Sequence, residues 1–205
     1  MQKWPIIFSR DLMMGGEENK QVIRNQFERW QKKKLLIRLR RGAYLLNPAD
    51  RKINVSRMYI ANQLYNPSYL SLEYALTYYG IIPERVSDLT SVTTKKTMRF
   101  DNEAGSFIYQ HIKPKAFNGF VSSKDEAGLL FFIAEPEKAV ADFLYLNLHK
   151  FHTKDEKVFE ESYRLQNIEI LKTKKLMAFA ACFTNKKLTR VSEMLCKLIK
   201  KEGGQ

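Results

Sequence analysis

The sequence predicts an α+β protein in two parts. A small helix-and-hairpin unit spans 1–52, and a mixed α/β domain with an antiparallel sheet and C-terminal helices spans 53–205. Three observations carry that expectation. A polar helix with one narrow apolar stripe over 19–30 runs directly into an arginine-rich hairpin. Between residues 89 and 134 the apolar period falls to two, with no helix-length run between the segments. After Pro136 the pattern returns to a helical period.

The N-terminal unit begins with Ile6, Ile7 and Phe8, and Ser9 then suits an N-cap for a short helix carrying Leu12 and Met13 on its apolar side. Gly15-Gly16 breaks it, and Glu17 and Glu18 place negative charge where the next helix dipole starts. In that second helix Ile23, Phe27 and Trp30 recur at i, i+4 and i+7. At about 100° per residue, Gln21, Asn25, Glu28 and Lys32 fall on the opposite side, flanked by Arg24 and Arg29. Lys32 to Lys34 close the helix, where positive charge suits its C-terminal dipole. The hairpin follows. Ile37 and Leu39 alternate with Arg38 and Arg40, predicting one apolar and one cationic face. Arg41-Gly42 falls at the tight turn, and Tyr44, Leu45 and Leu46 return. A helix exposing amides and guanidiniums, followed by a basic β-ribbon, fits a DNA duplex: the helix suits the major groove and the ribbon the phosphates. The expected unit is a winged helix-turn-helix, one of whose helices is either very short or compressed into the turn at 15–19.

Asn47-Pro48-Ala49-Asp50 is turn-rich and marks the expected boundary. A helix is predicted over 55–64, ending before Asn66-Pro67. Another is predicted over 69–80, with Ser71 as N-cap and Gly80 at the C-cap. Its Tyr74, Tyr78 and Tyr79 read as core residues. Strands are predicted over 90–94, 97–100, 107–111, 117–121 and 129–134, with 101–105 as a hairpin connection. Pro136 opens a helix through Ala139, Phe143 and Leu146. Residues 155–205 read as helical throughout, with Val191, Leu195, Leu198 and Ile199 on the last apolar face.

The formal net charge of +13 is unevenly placed. Residues 1–52 hold 13 basic and 5 acidic side chains, 53–135 hold 8 of each, and 136–205 hold 14 and 9. The excess is densest on the helix and hairpin, as a nucleic-acid footprint requires. Cys182 and Cys196 have no C-x-x-C spacing, so neither a disulfide framework nor a zinc knuckle is implied. No signal peptide or transmembrane run is read, so the expected location is the cytoplasm, with no membrane partner.

Within that reading Gln21, Arg24 and Asn25 meet base edges, where amide and guanidinium groups make bidentate pairs. Arg29, Lys32, Lys33, Arg38, Arg40 and Arg41 neutralise phosphates. Catalytic constellations are poor. His149 and His152 stand at i, i+3 without a third metal ligand. Gly105-Ser106 is not followed by the paired aspartates of a nucleotidyltransferase, and no phosphate loop or nucleophile elbow occurs. Glu135 and Glu137 read as helix N-terminal charges. No enzyme, metal or cofactor is expected.

Several stretches, taken in order, resemble the AbiEi-like antitoxins of type IV toxin–antitoxin (abortive infection) systems. Arg38-Leu39-Arg40-Arg41-Gly42-Ala43-Tyr44-Leu45-Leu46 resembles that family's wing. Tyr69 to Leu76 with Tyr79-Gly80-Ile81-Ile82-Pro83 resembles the family's next helix and its glycine exit, and Thr90-Ser91-Val92-Thr93 its first sheet strand. Ile133 to Asp142 is similar to its A-x-P-E-K-A-L-x-D helix start. The resemblance covers most of 6–148. It implies a transcriptional autorepressor whose winged helix binds repeats in its own promoter, with a dimer on DNA possible. It also implies a C-terminal domain that counters a nucleotidyltransferase-like toxin, and no catalytic residues. The alternative is a protein-interaction module that restrains a partner, with only non-specific nucleic-acid binding.

Overall fold

A computed structural model describes residues 5–14, 20–151, 159 and 163–202. The expected turn at 15–19 and His152 lie outside the described residues.

The N-terminal unit is built on a three-stranded antiparallel sheet. β1 (Ile6–Phe8) leads into α1 (Ser9–Met14), α2 covers Lys20–Lys32, and β2 (Leu36–Arg40) turns back through β3 (Ala43–Leu46). The sheet order is β1-β3-β2, so the sequence-distant β1 pairs with the returning strand. Each face of this sheet has its own neighbour. Ile23 and Phe27 of α2 bury against Leu36, with Ile7, Trp30, Tyr44 and Leu46 around them. Phe27 stacks on Tyr44 at a centroid distance of 4.4 Å. The opposite face, through Ile6, Leu39, Ala43 and Leu45, joins the main core of the chain.

The body is a six-stranded sheet with helices packed on it. α3 (Arg57–Leu64) is capped by Ser56, whose Oγ accepts from Tyr59 N at 3.1 Å. β4 (Ser68–Leu70) and α4 (Leu72–Tyr78) follow, then β5 (Leu89–Thr93), β6 (Met98–Asn102), β7 (Gly105–His111), β8 (Phe120–Lys124) and β9 (Leu130–Ala134). α5 (Pro136–Leu146), α6 (Thr173–Cys182) and α7 (Lys186–Glu202) complete the body. No helix of the described residues is long and apolar enough to cross a membrane.

The α+β class is as expected, but Tyr69 and Leu70, expected within a helix, lie in β4, and Tyr78, expected in the core, is 50% exposed. Two larger features also differ. The large sheet is mixed rather than antiparallel: its order is β6-β7-β5-β4-β9-β8, with β5–β7 and β4–β9 parallel and the other three pairs antiparallel. The hairpins β6–β7 and β8–β9 are local, whereas β4 is a fully buried strand inserted between β5 and β9. The stretch 163–172 is not α-helical, carrying only a 3₁₀ turn at Ile168–Ile170. It reaches back over the body, where Gln166 N donates to Ile81 O at 2.9 Å. The last apolar face is as read, with Val191, Leu195, Leu198 and Ile199 all buried.

The acidic residues around Pro136 fasten α6. Glu137 Oε1 accepts from Lys172 N at 3.0 Å, and Glu135 pairs with Lys175. Deeper, Lys138 and Asp142 form an ion pair with both side chains fully buried. Ser71 Oγ and Tyr69 OH donate to the other Asp142 oxygen at 2.8 and 3.0 Å. Ser71 stands at the N-cap of α4 as expected, yet its hydroxyl caps nothing there, because it is directed at Asp142.

Candidate nucleic-acid interface

α2 is presented by its attachment. Its apolar stripe seats on the small sheet, so the residues about half a turn away face solvent. Gln21, Arg24, Asn25, Arg29 and Lys32 are all exposed, and Lys33 follows them in the turn, also exposed. Gln21 Nε2 donates to Asn25 Oδ1 at 3.0 Å, which joins two amide groups into one polar surface a single helical turn apart. At 13 residues the helix is ~20 Å long, a length the major groove accommodates.

Sequence reasoning missed one member of this surface. Val22 is 56% exposed, beside Asn25 and Arg29 on the helix. The signal was available: Val22 sits roughly 100° off the Ile23–Phe27–Trp30 stripe. An exposed methyl pair there can contact a thymine methyl. Glu28 is also exposed on this side, an acid among bases.

The hairpin divides its arginines. Arg38 and Arg41 are exposed, as the cationic face requires. Arg40 is not on that face. The strand register slips between Arg38 and Arg40, and past the slip Arg40 turns toward the body. Its Nε donates to Leu64 O at 2.7 Å and its Nη1 to Arg41 O at 3.1 Å. Burial, and then the neighbouring Arg10, lower its pKa from the ordinary guanidinium value. A bulge is invisible to a period-two pattern, which is why the alternation placed Arg40 beside Arg38. The turn is short, with Gly42 at φ +77° and Gly42 O accepting from Ser9 N at 3.0 Å. The hairpin tip is therefore tied level with the start of α1.

The buried quartet of Tyr69, Ser71, Lys138 and Asp142 contains a hydroxyl, a carboxylate and an amine within bonding distance. All four side chains are sealed, at 0% exposure for each residue. Substrate has no route to them, and burial raises both the Asp142 carboxyl and the Tyr69 phenol above their ordinary values. The quartet is a core network. Among the described residues no three His, Cys, Asp or Glu side chains converge to hold a metal ion. Cys182 and Cys196 are free thiols.

No family model matches the chain, and no curated protein matches it.

Proposed function

We propose that the chain is a DNA-binding antitoxin and transcriptional autorepressor of a type IV toxin–antitoxin operon, with residues 1–52 acting as a winged helix-turn-helix. The observation that carries the DNA-binding reading is the exposed face of α2, with Gln21, Arg24, Asn25, Arg29, Lys32 and Lys33 displayed by a helix whose apolar stripe is fixed to a small sheet. The sheet order β1-β3-β2, with two helices between its first two strands, supports the winged-helix reading. In this reading Gln21, Arg24, Asn25 and Val22 meet base edges and Arg29, Lys32, Lys33, Arg38 and Arg41 meet phosphates. Arg40 holds the ribbon in place. The antitoxin role, the nucleotidyltransferase-like toxin and the cytoplasmic location rest on the ordered motif resemblance, a fold-level analogy.

The test is binding to the duplex upstream of the chain's own gene, against a scrambled duplex of equal length, across a salt series. Selective binding with a steep negative salt slope is the expected result. Equal, weak binding to both duplexes would remove the autorepressor reading. A second reading, a module that restrains a partner protein, is favoured by one feature: Val121, Leu130 and Phe132 of the β8–β9 hairpin at the sheet edge are each more than 40% exposed. Co-purification with the product of an adjacent gene, retained after Leu130→Lys only if that hairpin is not the contact, separates the two readings.

A further inference from the structure

A basic cleft of about 360 Å³ opens where the small sheet meets the body. Arg10, Arg40 and Arg41 line it from the N-terminal unit, and Asn66 and Lys95 from the body, with Phe8 on one wall. No carboxylate lines it among the described residues. The charge is held close rather than dispersed. The guanidinium carbons of Arg10 and Arg40 lie 5.1 and 5.9 Å from the same Phe8 ring centroid. Lys95 Nζ donates to Asn66 O at 2.5 Å and lies 5.4 Å from the Tyr65 centroid, so the ammonium is steered by the body's own groups. Asp11 meets Arg10 at 3.4 Å, but on an exposed outer side where such a pair is weak.

Like charges gathered around a partly buried guanidinium repel one another unless an anion joins them. We propose that this cleft binds a small phosphate-bearing ligand, held by Arg10, Arg41 and Lys95 over the half-buried Arg40. Planar guanidiniums match phosphate oxygens bidentately, and the aromatic walls suit a ligand of nucleotide class. The volume is that of a small-molecule pocket. α2 lies on the other face of the small sheet from the body, so a duplex against α2 shares only Arg41 with the cleft, and Arg10 and Lys95 are left to the ligand. The inference therefore goes beyond the DNA-binding reading and stands without it. A ligand here touches both the N-terminal unit and the body.

The experiment is calorimetric titration of the full chain with inorganic pyrophosphate at fixed ionic strength, alongside Arg10→Ala, Lys95→Ala and the double variant. Both side chains are exposed, and an unchanged unfolding midpoint verifies that the variants fold. Saturable binding at one site per chain, weakened at least about tenfold in the double variant, is the expected result; removing one charge-assisted hydrogen bond accounts for roughly that factor. Lys174→Ala, on a separate basic patch of α6, is expected to bind as the wild type does. Absence of saturable binding, or equal weakening by Lys174→Ala, overturns the proposal. Weaker duplex binding by the double variant, with no pyrophosphate bound by the wild type, places a DNA phosphate in the cleft and overturns it as well. Pyrophosphate binding by a chain that ignores its promoter would leave the cleft standing and remove only the repressor.

Discussion

In the proposed reading the three arginines of one hairpin have two different roles, and single substitutions separate them. Arg38→Ala and Arg41→Ala leave packing untouched and are expected to lower the salt slope of duplex binding by ~0.9 for each phosphate no longer neutralised. Arg40→Ala removes a charged donor from Leu64 O and is expected to destabilise the fold by ~1–2 kcal/mol in urea unfolding, with the slope unchanged. A reversed pattern would place Arg40 on the DNA. Asp142 makes a second residue-scale prediction. Burial keeps its folded pKa raised even beside Lys138. A raised acid favours folding below its unfolded value, and that contribution is lost as pH climbs through the folded value. Lys138→Met strips away the compensating ammonium and leaves a lone buried carboxylate, at a cost of ~3–5 kcal/mol. Its folded pKa then rises further, so the variant is expected to regain stability relative to wild type as pH falls from about 8 to about 5. A pH-independent difference would show that Asp142 is neutral throughout.

At the scale of elements, the hairpin turn depends on one glycine. Gly42 has a positive φ, and an added Cβ would lie 3.1 Å from Ser9 Oγ. Gly42→Ala is expected to destabilise the chain by ~1–2 kcal/mol, and Gly42→Asn by less, because asparagine tolerates the left-handed region. Elements of this kind were legible because their signals are local: the α2 stripe, the Gly42 turn, Pro136 opening α5, and the hairpin connection at 101–105. Pairing was not local, and so was not legible. β5 pairs with β7 by passing over β6, and Leu70 of β4 pairs with Ile133, far along the chain. A period-two pattern tells which residues face inward, not which strand lies alongside. The segment 163–172 misleads for a related reason. Leu165, Ile168 and Leu171 recur at three-residue spacing, as on a helix, but they anchor a chain crossing the body surface. At the candidate interface, Gln21, Arg24, Asn25 and Arg29 followed from helix periodicity. Arg40 did not, since its environment comes from residues more than twenty positions away.

For the whole molecule, the core is continuous from Ile6 and Leu45 through to Phe107 and beyond. Asn102 Nδ2 donating to Leu39 O at 2.9 Å adds a tie between the large sheet and the small one. Trp30 packs against the Ile23, Phe27 and Leu36 cluster, so its fluorescence reports on the N-terminal unit, while far-UV circular dichroism reports mainly on the rest. The two probes are expected to give one coincident unfolding transition. Two separated midpoints would mean that the units melt independently. The small sheet, clamped between α2 and the body, also sets what the chain could measure. A helix mounted on its own linker can swing to meet its site. One seated on a sheet whose far side is part of the protein's core keeps a fixed bearing, so two copies on neighbouring repeats would act as a rigid caliper. Inserting about five base pairs between the repeats, roughly half a turn of duplex, is then expected to abolish cooperative binding, and inserting about ten to restore much of it.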